Sequence, residues 1–468
     1  MNTLVAPARE VPILDEVDVV VAGAGVGGFC AGVAAARAGA SAIVIERNAF
    51  PGGVATAGLM CSITNHFVTR DGAQITHGLA EEFINRLVAE GGAMPRWPRA
   101  GQPQIPNDPE VVKRVMISML REAGVKTLYG AFVAQVVRDG ERVSAVVCEG
   151  KGGPFAIRAG QFVDATGDLD LVALAGGPYV TEGGHSTLLF RMANVDLDAA
   201  INWFERHPES YSERDDIPTS LQDTIANWRE FGVFHLPHGA GGHISVVREA
   251  IEGGELPENY GRHARDLWQM GMYACGANRN VVLVNSCTFA GDEFDIARKS
   301  QCEEEGRLVA KVMADFLVRR FPGFANAYLL ETATEIGTRL TRRLCGRHTL
   351  TSEEYRTGRH FPDVIGHTTE IDRTLTPPAR YAQAGEIPFG CLVADAPANV
   401  ICGSGKSAAT EPRGLLRGQA PCMVIGEAAG AAAALAAREG VPVSELDVRL
   451  LQAHLVSQGV ALGGQRIE

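Results

Sequence analysis

The chain has 468 residues, 46% of them hydrophobic and 21% charged, which is an ordinary globular composition with length for two or three domains. A net charge of -12 argues against a polyanion such as nucleic acid as a steady partner, while the charge of a small-molecule substrate stays open. Ten cysteines without a C-x-x-C pair predict reduced thiols in a cytoplasmic protein.

No stretch of the sequence predicts export or membrane insertion. Residues 1–10 lack a basic start followed by an apolar run, so we expect no secretory signal. The most apolar helical run, residues 426–437, is mostly alanine, and we expect it to be too short and too weakly apolar to cross a bilayer.

The most informative stretch is residues 16–46. An apolar run predicts a buried parallel strand, after which Gly23, Gly25 and Gly28 follow the spacing G-x-G-x-x-G. Alanines at helical spacing then predict a helix that packs closely on the sheet, and a second strand ends at Glu46. In such units the glycines let a pyrophosphate approach the helix start, and the acid accepts hydrogen bonds from an adenosine ribose. The stretch therefore predicts a dinucleotide site.

The second strand and the loop after it refine this prediction. Glu46 would repel a 2′-phosphate, which favours FAD or NAD over NADP. The loop at 51–58, which contains Gly53, leaves the carboxyl end of a parallel strand, where such folds bind ligands. We expect it to contact the flavin, with a plain surface turn as the alternative.

The next part of the chain predicts two helices and a ribbon of strands. The helices are expected at 77–90 and 108–123, the second with Asp108 as its cap and Pro109 in its first turn. Runs that predict an antiparallel ribbon follow at 125–129, 131–138, 142–149 and 154–158.

A further strand at 161–165 is expected to return to the main sheet. It would bring the turn of Thr166, Gly167 and Asp168 against the dinucleotide, and Asp168 is also expected to cap a helix.

The middle of the chain, about 184–385, has no nucleotide signature and is interpreted as an inserted substrate domain. Its loop at 234–243 holds His235, His238 and His243, but no cysteine or carboxylate completes a metal site there, so we predict no metal. Helices are predicted at 292–321 and 323–337.

Three arginines follow in the segment TRLTRRLCG. Arg339, Arg342 and Arg343 have the spacing i, i+3 and i+4, which predicts that they project from one face of a helix. A solvated basic face is one interpretation; a clamp for a carboxylate or for developing negative charge is the other.

The C-terminal part predicts a strand at 398–402, a long helix of small residues at 414–437 and a last helix at 444–458. The N-terminus of the long helix would direct its positive dipole end at an anion beside it. Together the elements predict an α/β fold, with a Rossmann-like FAD-binding domain, an antiparallel β-ribbon and an inserted α+β substrate domain. The predicted boundaries are 1–184 and 385–468 for the two parts of the FAD-binding domain and 185–384 for the insert.

Several motifs in this order resemble the FAD-dependent oxidoreductase family related to the fumarate reductase and succinate dehydrogenase flavoproteins. They include VVVAGAGVGG, PGGVATAGLM, VDATGDLDLVALAG, IGTRLTRRLCGRHTLTSEE and PCMVIGEAAGAAAALA. The resemblance implies FAD contacts, completed here by Val133 and Leu415, from Gly23, Gly25, Gly27, Gly28, Glu46, Arg47, Gly53, Ala165, Gly167, Gly403 and Ser407.

Two positions depart from the family pattern. The family often reads R-E-x-R-R where this chain has RLTRR at 339–343, and it often has a histidine where Arg413 stands. Both departures concern the substrate chemistry and leave the FAD prediction intact.

The leading functional hypothesis is a dehydrogenase or oxidase that transfers a hydride from a small organic substrate to flavin N5, with an undetermined electron acceptor. Candidate proton-transfer or orienting residues are His66, His235, His238 and Tyr273, and candidate charge clamps are Arg339, Arg343 and Arg413; a packing role is the alternative for each. A reductase of an activated alkene is the second hypothesis. A monooxygenase is less favoured because its W-x-W-x-I-P and G-D-A-x-H-x-x-x-P segments are missing, and a flavin sensor without turnover is the non-catalytic alternative.

Overall fold

The computed structural model describes residues 4, 8–64, 66–97, 104–181, 183–213, 220–255, 270–275, 280–286, 288–372 and 379–462. Its helices are α1 (Val26–Arg37), α2 (Leu79–Ala89), α3 (Pro109–Glu122), α4 (Asp170–Leu174), α5 (Leu197–Arg206), α6 (Leu221–Phe231), α7 (Ser245–Glu252), α8 (Ile296–Arg320), α9 (Ser352–Arg356), α10 (Gln419–Glu439) and α11 (Val448–Ser457).

The strands, also in chain order, are β1 (Ile13–Ala22), β2 (Ala42–Glu46), β3 (Ser62–Thr64), β4 (Gln104–Pro106), β5 (Lys126–Tyr129), β6 (Phe132–Asp139), β7 (Arg142–Gly150), β8 (Gly153–Asp164), β9 (Tyr179–Thr181), β10 (Gly184–Thr187), β11 (Phe190–Ala193), β12 (Phe234–Leu236), β13 (Gly271–Ala274), β14 (Val282–Asn285), β15 (Thr288–Gly291), β16 (Tyr328–Thr332), β17 (Gly337–Thr338), β18 (Arg342–Leu344), β19 (Leu350–Thr351), β20 (Val364–Thr368), β21 (Ile371–Asp372), β22 (Ala379–Arg380), β23 (Gly385–Pro388), β24 (Val400–Cys402) and β25 (Thr410–Glu411).

The main sheet has the order β5-β2-β1-β8-β7-β6, and β24 pairs with β8. The pairs β1–β2, β1–β8, β2–β5 and β24–β8 are parallel, while β6, β7 and β8 pair antiparallel as a ribbon. This confirms the predicted α/β fold with a Rossmann-like part and a ribbon.

Strand β8 differs from the prediction of two short strands. It runs without interruption through both regions, pairing with β7 of the ribbon over its first half, with β1 from Ala156 onwards and with β24 at its end. Strand β1 begins at Ile13 and lies between β2 and β8 in the sheet. Continuous pairing to a neighbour on each side lets one long strand serve the ribbon and the sheet together.

Small residues let α1 and α10 approach each other closely. A side chain at Gly426 or Gly430 would collide with the backbone of Gly27 or Ala31, at 2.0 Å from each carbonyl oxygen. Helix α10 has 21 residues, so the expectation of a helix too short for a membrane is wrong; its length and composition would suffice. The helix is nevertheless buried almost entirely in the main core, against α1, β8 and β20.

A second hydrophobic core lies around an antiparallel sheet of order β12-β13-β14-β11-β16. Helices α5 and α8 and the loop residues Leu59 and Cys61 contribute buried side chains to it. This core is the additional domain that the sequence predicted as an insert. Buried side chains between Leu344 and Tyr381 pack into the first core instead, and the predicted boundaries at 184 and 384 stay a prediction.

Three predicted helical features are wrong. Residues 323–337 contain strand β16 instead of a helix. Arg342 and Arg343 lie in β18, which pairs antiparallel with β9, so the three arginines do not share a helical face. Helix α4 begins after Leu169, which is its N-cap, so Asp168 caps no helix there.

Candidate functional site

The glycine-rich turn joins β1 to α1 as predicted. Gly23 has φ +91°, and its N–H donates to the carbonyl oxygen of Ile45 at 2.7 Å. A Cβ at Gly28 would lie 1.8 Å from the Gly23 oxygen, and one at Gly27 would lie 2.3 Å from the Gly403 oxygen, whereas one at Gly25 would meet no protein atom within 4 Å. The turn is therefore tight everywhere except at Gly25, where it opens towards solvent.

Glu46 closes the end of β2 and holds the same turn. Its carboxylate accepts the N–H of Ala24 at 2.8 Å and the N–H of Asn48 at 2.8 Å, and the side chain is buried. Oε1 also accepts the side-chain amide of Asn48 at 3.1 Å, whereas Oε2, which accepts the Ala24 N–H, has room for a second donor. Glu46 therefore orders the glycine turn and can still accept a ribose hydroxyl.

The loop after β2 packs against the glycine turn. The Gly52 N–H donates to the Ala24 oxygen at 2.7 Å, and a Cβ at Gly53 would lie 3.1 Å from the Cα of Gly25. Arg47 forms an ion pair at 2.5 Å with Glu335, which follows β16. Burial by itself would lower the pKa of the Arg47 guanidinium, but the neighbouring Glu335 carboxylate raises this pKa above its usual value. The loop thus connects the dinucleotide turn to the second core.

The turn after β8 carries two buried acids. Asp164 accepts the Thr166 hydroxyl at 2.7 Å and the Val172 N–H at 2.9 Å. Burial, reinforced by the charge of Asp170, raises the pKa of Asp164 to about 6. Burial by itself would raise the pKa of Asp168, but an ion pair with Lys406 at 2.5 Å keeps this pKa below its usual value.

Four of the remaining predicted FAD contacts lie at this turn: Ala165, Gly167, Gly403 and Ser407. Ala165 donates its N–H to the Ala22 oxygen at 2.9 Å, and the Ser407 hydroxyl donates to the Gly167 oxygen at 2.7 Å. Gly403 follows β24 and donates to the Asp164 oxygen at 2.8 Å. Val133 lies on β6 and Leu415 precedes α10, both half-buried against the first core.

The N-terminus of α10 faces a group of polar side chains. The helix begins at Gln419 instead of near Gly414, its N-cap Gly418 offers no side chain, and no acid stands in its first turn. The Gln419 amide donates to the Met60 oxygen at 3.0 Å. His66 packs against Gly418, since a Cβ there would lie 2.5 Å from its ring, and His66 Nε2 lies 3.4 Å from a Glu370 carboxylate oxygen.

Arg339 lies near Arg417, which precedes this helix start, and it has no counterion among the described residues. Burial lowers the pKa of Arg339, and the positive charge of Arg417 lowers it further. Among the residues that the structure describes, no carboxylate forms an ion pair with either side chain. The Arg339 N–H donates to the His185 oxygen at 3.0 Å, and Thr341, two residues on, donates its hydroxyl to Asp168 at 2.7 Å.

The other arginines have partners within the fold. Arg342 pairs with Asp170 at 2.7 Å and lies 4.0 Å above the ring of Phe294, so it links α4 to the segment that precedes α8. Arg343 donates to the Thr410 oxygen at 3.0 Å and lies 3.5 Å from Glu411. Arg413 directly precedes Gly414, where a Cβ would lie 2.6 Å from the side chain of Leu340.

His235, His238 and Tyr273 belong to the second core. His235 on β12 is opposite Tyr273 on β13, and their rings stack with centroids 5.4 Å apart. Burial lowers the pKa of His235 to about 3, so this imidazole is neutral near pH 7. A Cβ at Gly271 would lie 2.8 Å from the Cα of His238 and 3.0 Å from the Tyr273 hydroxyl oxygen.

The residues around the glycine turn fit FAD. Within the described residues, no side chain caps the N-terminus of α1, its first turn holds no acid, and Gly25 leaves open space. These are the features that an anion at a helix N-terminus requires. The first turn of α10, whose N-cap has no side chain, lies close to Gly27, since a Cβ there would lie 3.1 Å from the Cys422 oxygen, and it adds a second positive helix end.

A family model for FAD dependent oxidoreductases matches residues 18–455, and the chain belongs to that family. It is therefore an oxidoreductase with FAD as its cofactor. Among curated proteins, no sequence matches the chain significantly.

Solved structures resemble the chain only distantly. A geranylgeranyl bacteriochlorophyll reductase-like protein from Thermoplasma acidophilum is 12% identical over 95% of this chain and 84% of its own, with a TM-score of 0.44. A p-nitrophenol 4-monooxygenase from Pseudomonas putida DLL-E4 is 14% identical over 95% and 84%, with a TM-score of 0.43. At this similarity neither structure bears on the reaction of this chain.

Sequence reasoning missed several residues of the site. Asp164 stands in the quoted motif VDATGDLDLVALAG, directly before the predicted contact Ala165, and Lys406 directly precedes the predicted contact Ser407. These neighbours were the available signal for both residues. Arg417 and Gln419 lie at the helix start, which was expected near Gly414. No local pattern reveals that Arg417 approaches Arg339, because a long stretch of sequence separates them.

Proposed function

We propose that the chain oxidises a small organic substrate with a negatively charged group, as a dehydrogenase or an oxidase. FAD, when bound, supplies the redox chemistry by accepting a hydride at N5. The observation that carries the proposal is the partly buried charge of Arg339, which lacks a counterion in the described part of the chain.

An anionic group on the substrate would satisfy this cation. Removing a charge from water is costly unless an opposite charge or hydrogen bonds replace the lost solvation. Arg417 adds positive charge nearby, and the α10 N-terminus has neither an acid nor a capping side chain. A carboxylate suits this environment because a guanidinium can bind both of its oxygens.

His66 is the proposed proton acceptor. It packs on Gly418, directly beside Arg417, and its Nε2 lies 3.4 Å from a carboxylate oxygen of Glu370. His235 is less suitable, because a base with a pKa of about 3 accepts a proton poorly near neutral pH. We propose that His235, His238 and Tyr273 shape the substrate side of the pocket instead.

Within its family, we propose a relation to the fumarate reductase and succinate dehydrogenase flavoproteins. The support is the run of motifs quoted above, from the glycine turn to α10. The insert at 185–384 would then supply most of the substrate contacts, and Arg343 and Arg413 would support Arg339.

Anaerobic reduction of the FAD-loaded protein tests the proposal. Hydroxy acids, amino acids and saturated acids would be mixed with the protein, together with their neutral amide or ester counterparts, while the visible flavin absorption is followed. We expect an acid to bleach the flavin and its neutral counterpart to fail. Recovery in air would identify an oxidase, and persistent bleaching a dehydrogenase.

Two variants make the test specific. Arg339→Gln should weaken the apparent affinity for the acid at least roughly tenfold, equivalent to about 1.4 kcal/mol, with unchanged FAD content. Arg191→Gln is the control, since that guanidinium is paired with Glu331 in the second core. Equal reduction by acids and amides, or full activity of Arg339→Gln, would refute the anionic substrate. Reoxidation of the chemically reduced protein by unsaturated acids alone would favour the alkene reductase.

A further inference from the structure

A cavity of about 350 Å³ lies between α1, α2, α10 and α11, on the side of α10 that carries Glu427. This volume is in the range of small-molecule sites. Its lining is mixed, with apolar contributions from Ala34, Leu79, Ala431 and Leu455. None of the predicted FAD contacts lines it, so the cavity is distinct from the flavin site.

Glu427 forms the deepest polar surface of this cavity. Its side chain is only 4% exposed, and Oε2 accepts the N–H of Leu79 at 3.0 Å. No described group donates to Oε1. The backbone opposite is Gly78, with φ +71°, where a Cβ would lie 2.6 and 2.8 Å from the two carboxylate oxygens. A larger residue at position 78 would thus press on the carboxylate.

The charges around the cavity favour a cation. Arg37 is held by Glu82 through two hydrogen bonds of 2.7 and 3.0 Å, so its guanidinium is already engaged. Glu81 pairs with His77 at 2.9 Å. The lining therefore contains three carboxylates and one arginine. In the described part of the chain no group of three or more His, Cys, Asp or Glu side chains could hold a metal ion, which leaves an organic cation as the better match.

We propose that this cavity is a second small-molecule site and binds a short aliphatic amine as its ammonium ion. The ammonium group donates to Oε1 of Glu427, and the alkyl chain packs on the apolar part of the lining. The ligand supplies the charge and the donor that this buried carboxylate lacks.

Binding depends on pH through Glu427. Burial raises its pKa to about 7; the Leu79 N–H and Arg37 oppose this shift, and Glu82 adds to it. Other titratable or charged side chains surround Glu427. Arg37, Glu81, Glu82 and His454 line the cavity, and His77 and His367 line a smaller pocket that Glu427 also lines. Cys30 on α1 also interacts with Glu427, but burial raises its thiol pKa far above neutrality. The ionised fraction of Glu427 falls from about 90% at pH 8 to about 10% at pH 6, so affinity for the ammonium ion drops roughly tenfold.

Calorimetric titration of the FAD-loaded protein with n-butylamine hydrochloride tests the proposal, and n-butanol serves as the neutral probe. We expect butylammonium to bind at pH 8, about tenfold more weakly at pH 6, and n-butanol to bind at least tenfold more weakly than the amine at pH 8. Glu427→Gln should weaken amine binding at least tenfold. Glu386→Gln is the matched control, a buried carboxylate outside the cavity that also accepts a backbone N–H, and it should bind as wild type does.

Three results would overturn the proposal: no amine binding, equal binding of amine and alcohol, or full affinity in a folded Glu427→Gln protein. The comparison of probes and of pH values needs only the wild-type protein, so it decides the question even if that variant does not fold.

Discussion

Substituting alanine for Gly25 or Gly28 should separate cofactor binding from folding. Both glycines belong to the same turn, but their surroundings differ. A Cβ at Gly28 would lie 1.8 Å from the Gly23 oxygen and 3.0 Å from the Ala165 side chain, while a Cβ at Gly25 would meet no protein atom within 4 Å. The backbone of Gly25, with φ -61° and ψ -177°, is also accessible to alanine.

The expected magnitudes follow from these contacts. Gly28→Ala forces α1 away from β1, and overpacking of this kind costs about 1–3 kcal/mol of unfolding free energy. Gly25→Ala should change the stability of the apoprotein by no more than about 0.5 kcal/mol. Its methyl group, however, occupies the space through which the FAD pyrophosphate reaches the α1 N–H groups. We expect the Kd for FAD to rise at least roughly tenfold, which is about 1.4 kcal/mol.

Two measurements on the apoproteins check this pair. Urea unfolding followed by circular dichroism gives the free energy of unfolding, and titration with FAD followed by flavin fluorescence gives the Kd. Gly152→Ala is the control, because its Cβ also meets no atom within 4 Å but lies in the turn between β7 and β8. Wild-type FAD affinity in Gly25→Ala, or equal loss of stability in both turn variants, would refute the reasoning.

Three further predictions concern acids and an arginine near the site. Glu46→Gln weakens the acceptor for the Ala24 N–H and should cost roughly 1–3 kcal/mol of stability in urea, with at least tenfold weaker FAD binding; wild-type values in both assays would contradict this role. Because folding raises the pKa of Asp164 from 3.8 to about 6, its stabilisation is complete below pH 3.8 and is lost as the pH rises to about 6. The unfolding free energy of wild type minus that of Asp164→Asn should therefore fall by up to roughly 3 kcal/mol across this window, and a flat difference would count against it. Arg342→Lys keeps the charge beside Asp170 but loses the planar contact with Phe294, so thermal unfolding should show a loss of about 1 kcal/mol; an unchanged melting temperature would argue against that contact.

The arginine segment shows why local spacing can mislead. Arg339, Arg342 and Arg343 have helical spacing, but Arg342 to Leu344 pairs with β9, which is distant in the sequence. Successive side chains of a strand point to opposite faces, so Arg342 contacts Asp170 while Arg343 contacts Thr410. The partner strand, which periodicity does not reveal, decided the conformation.

The same reason explains where α10 begins. The small residues before α10 are compatible with a helix from Gly414 onwards, yet the helix begins at Gln419, whose amide binds the Met60 oxygen. Its position places His66 against Gly418 and Arg417 near Arg339. Residues so far apart in the chain meet only through the tertiary structure.

The sequence by itself determined the α/β class and the dinucleotide turn, because these depend on neighbouring residues: an apolar strand, glycines at set spacing and an acid at the end of the next strand. The choice of FAD over NAD depended instead on the order of several motifs along the chain, which resembles that of FAD-dependent oxidoreductases. Only the tertiary structure decided which charged side chains have no ion-pair partner among the described residues. Arg339 and Glu427 look like many other charged residues in the sequence, and they become informative because folding buries them away from most counterions and from water. Burial depends on segments that are distant in the chain, and no local pattern records it.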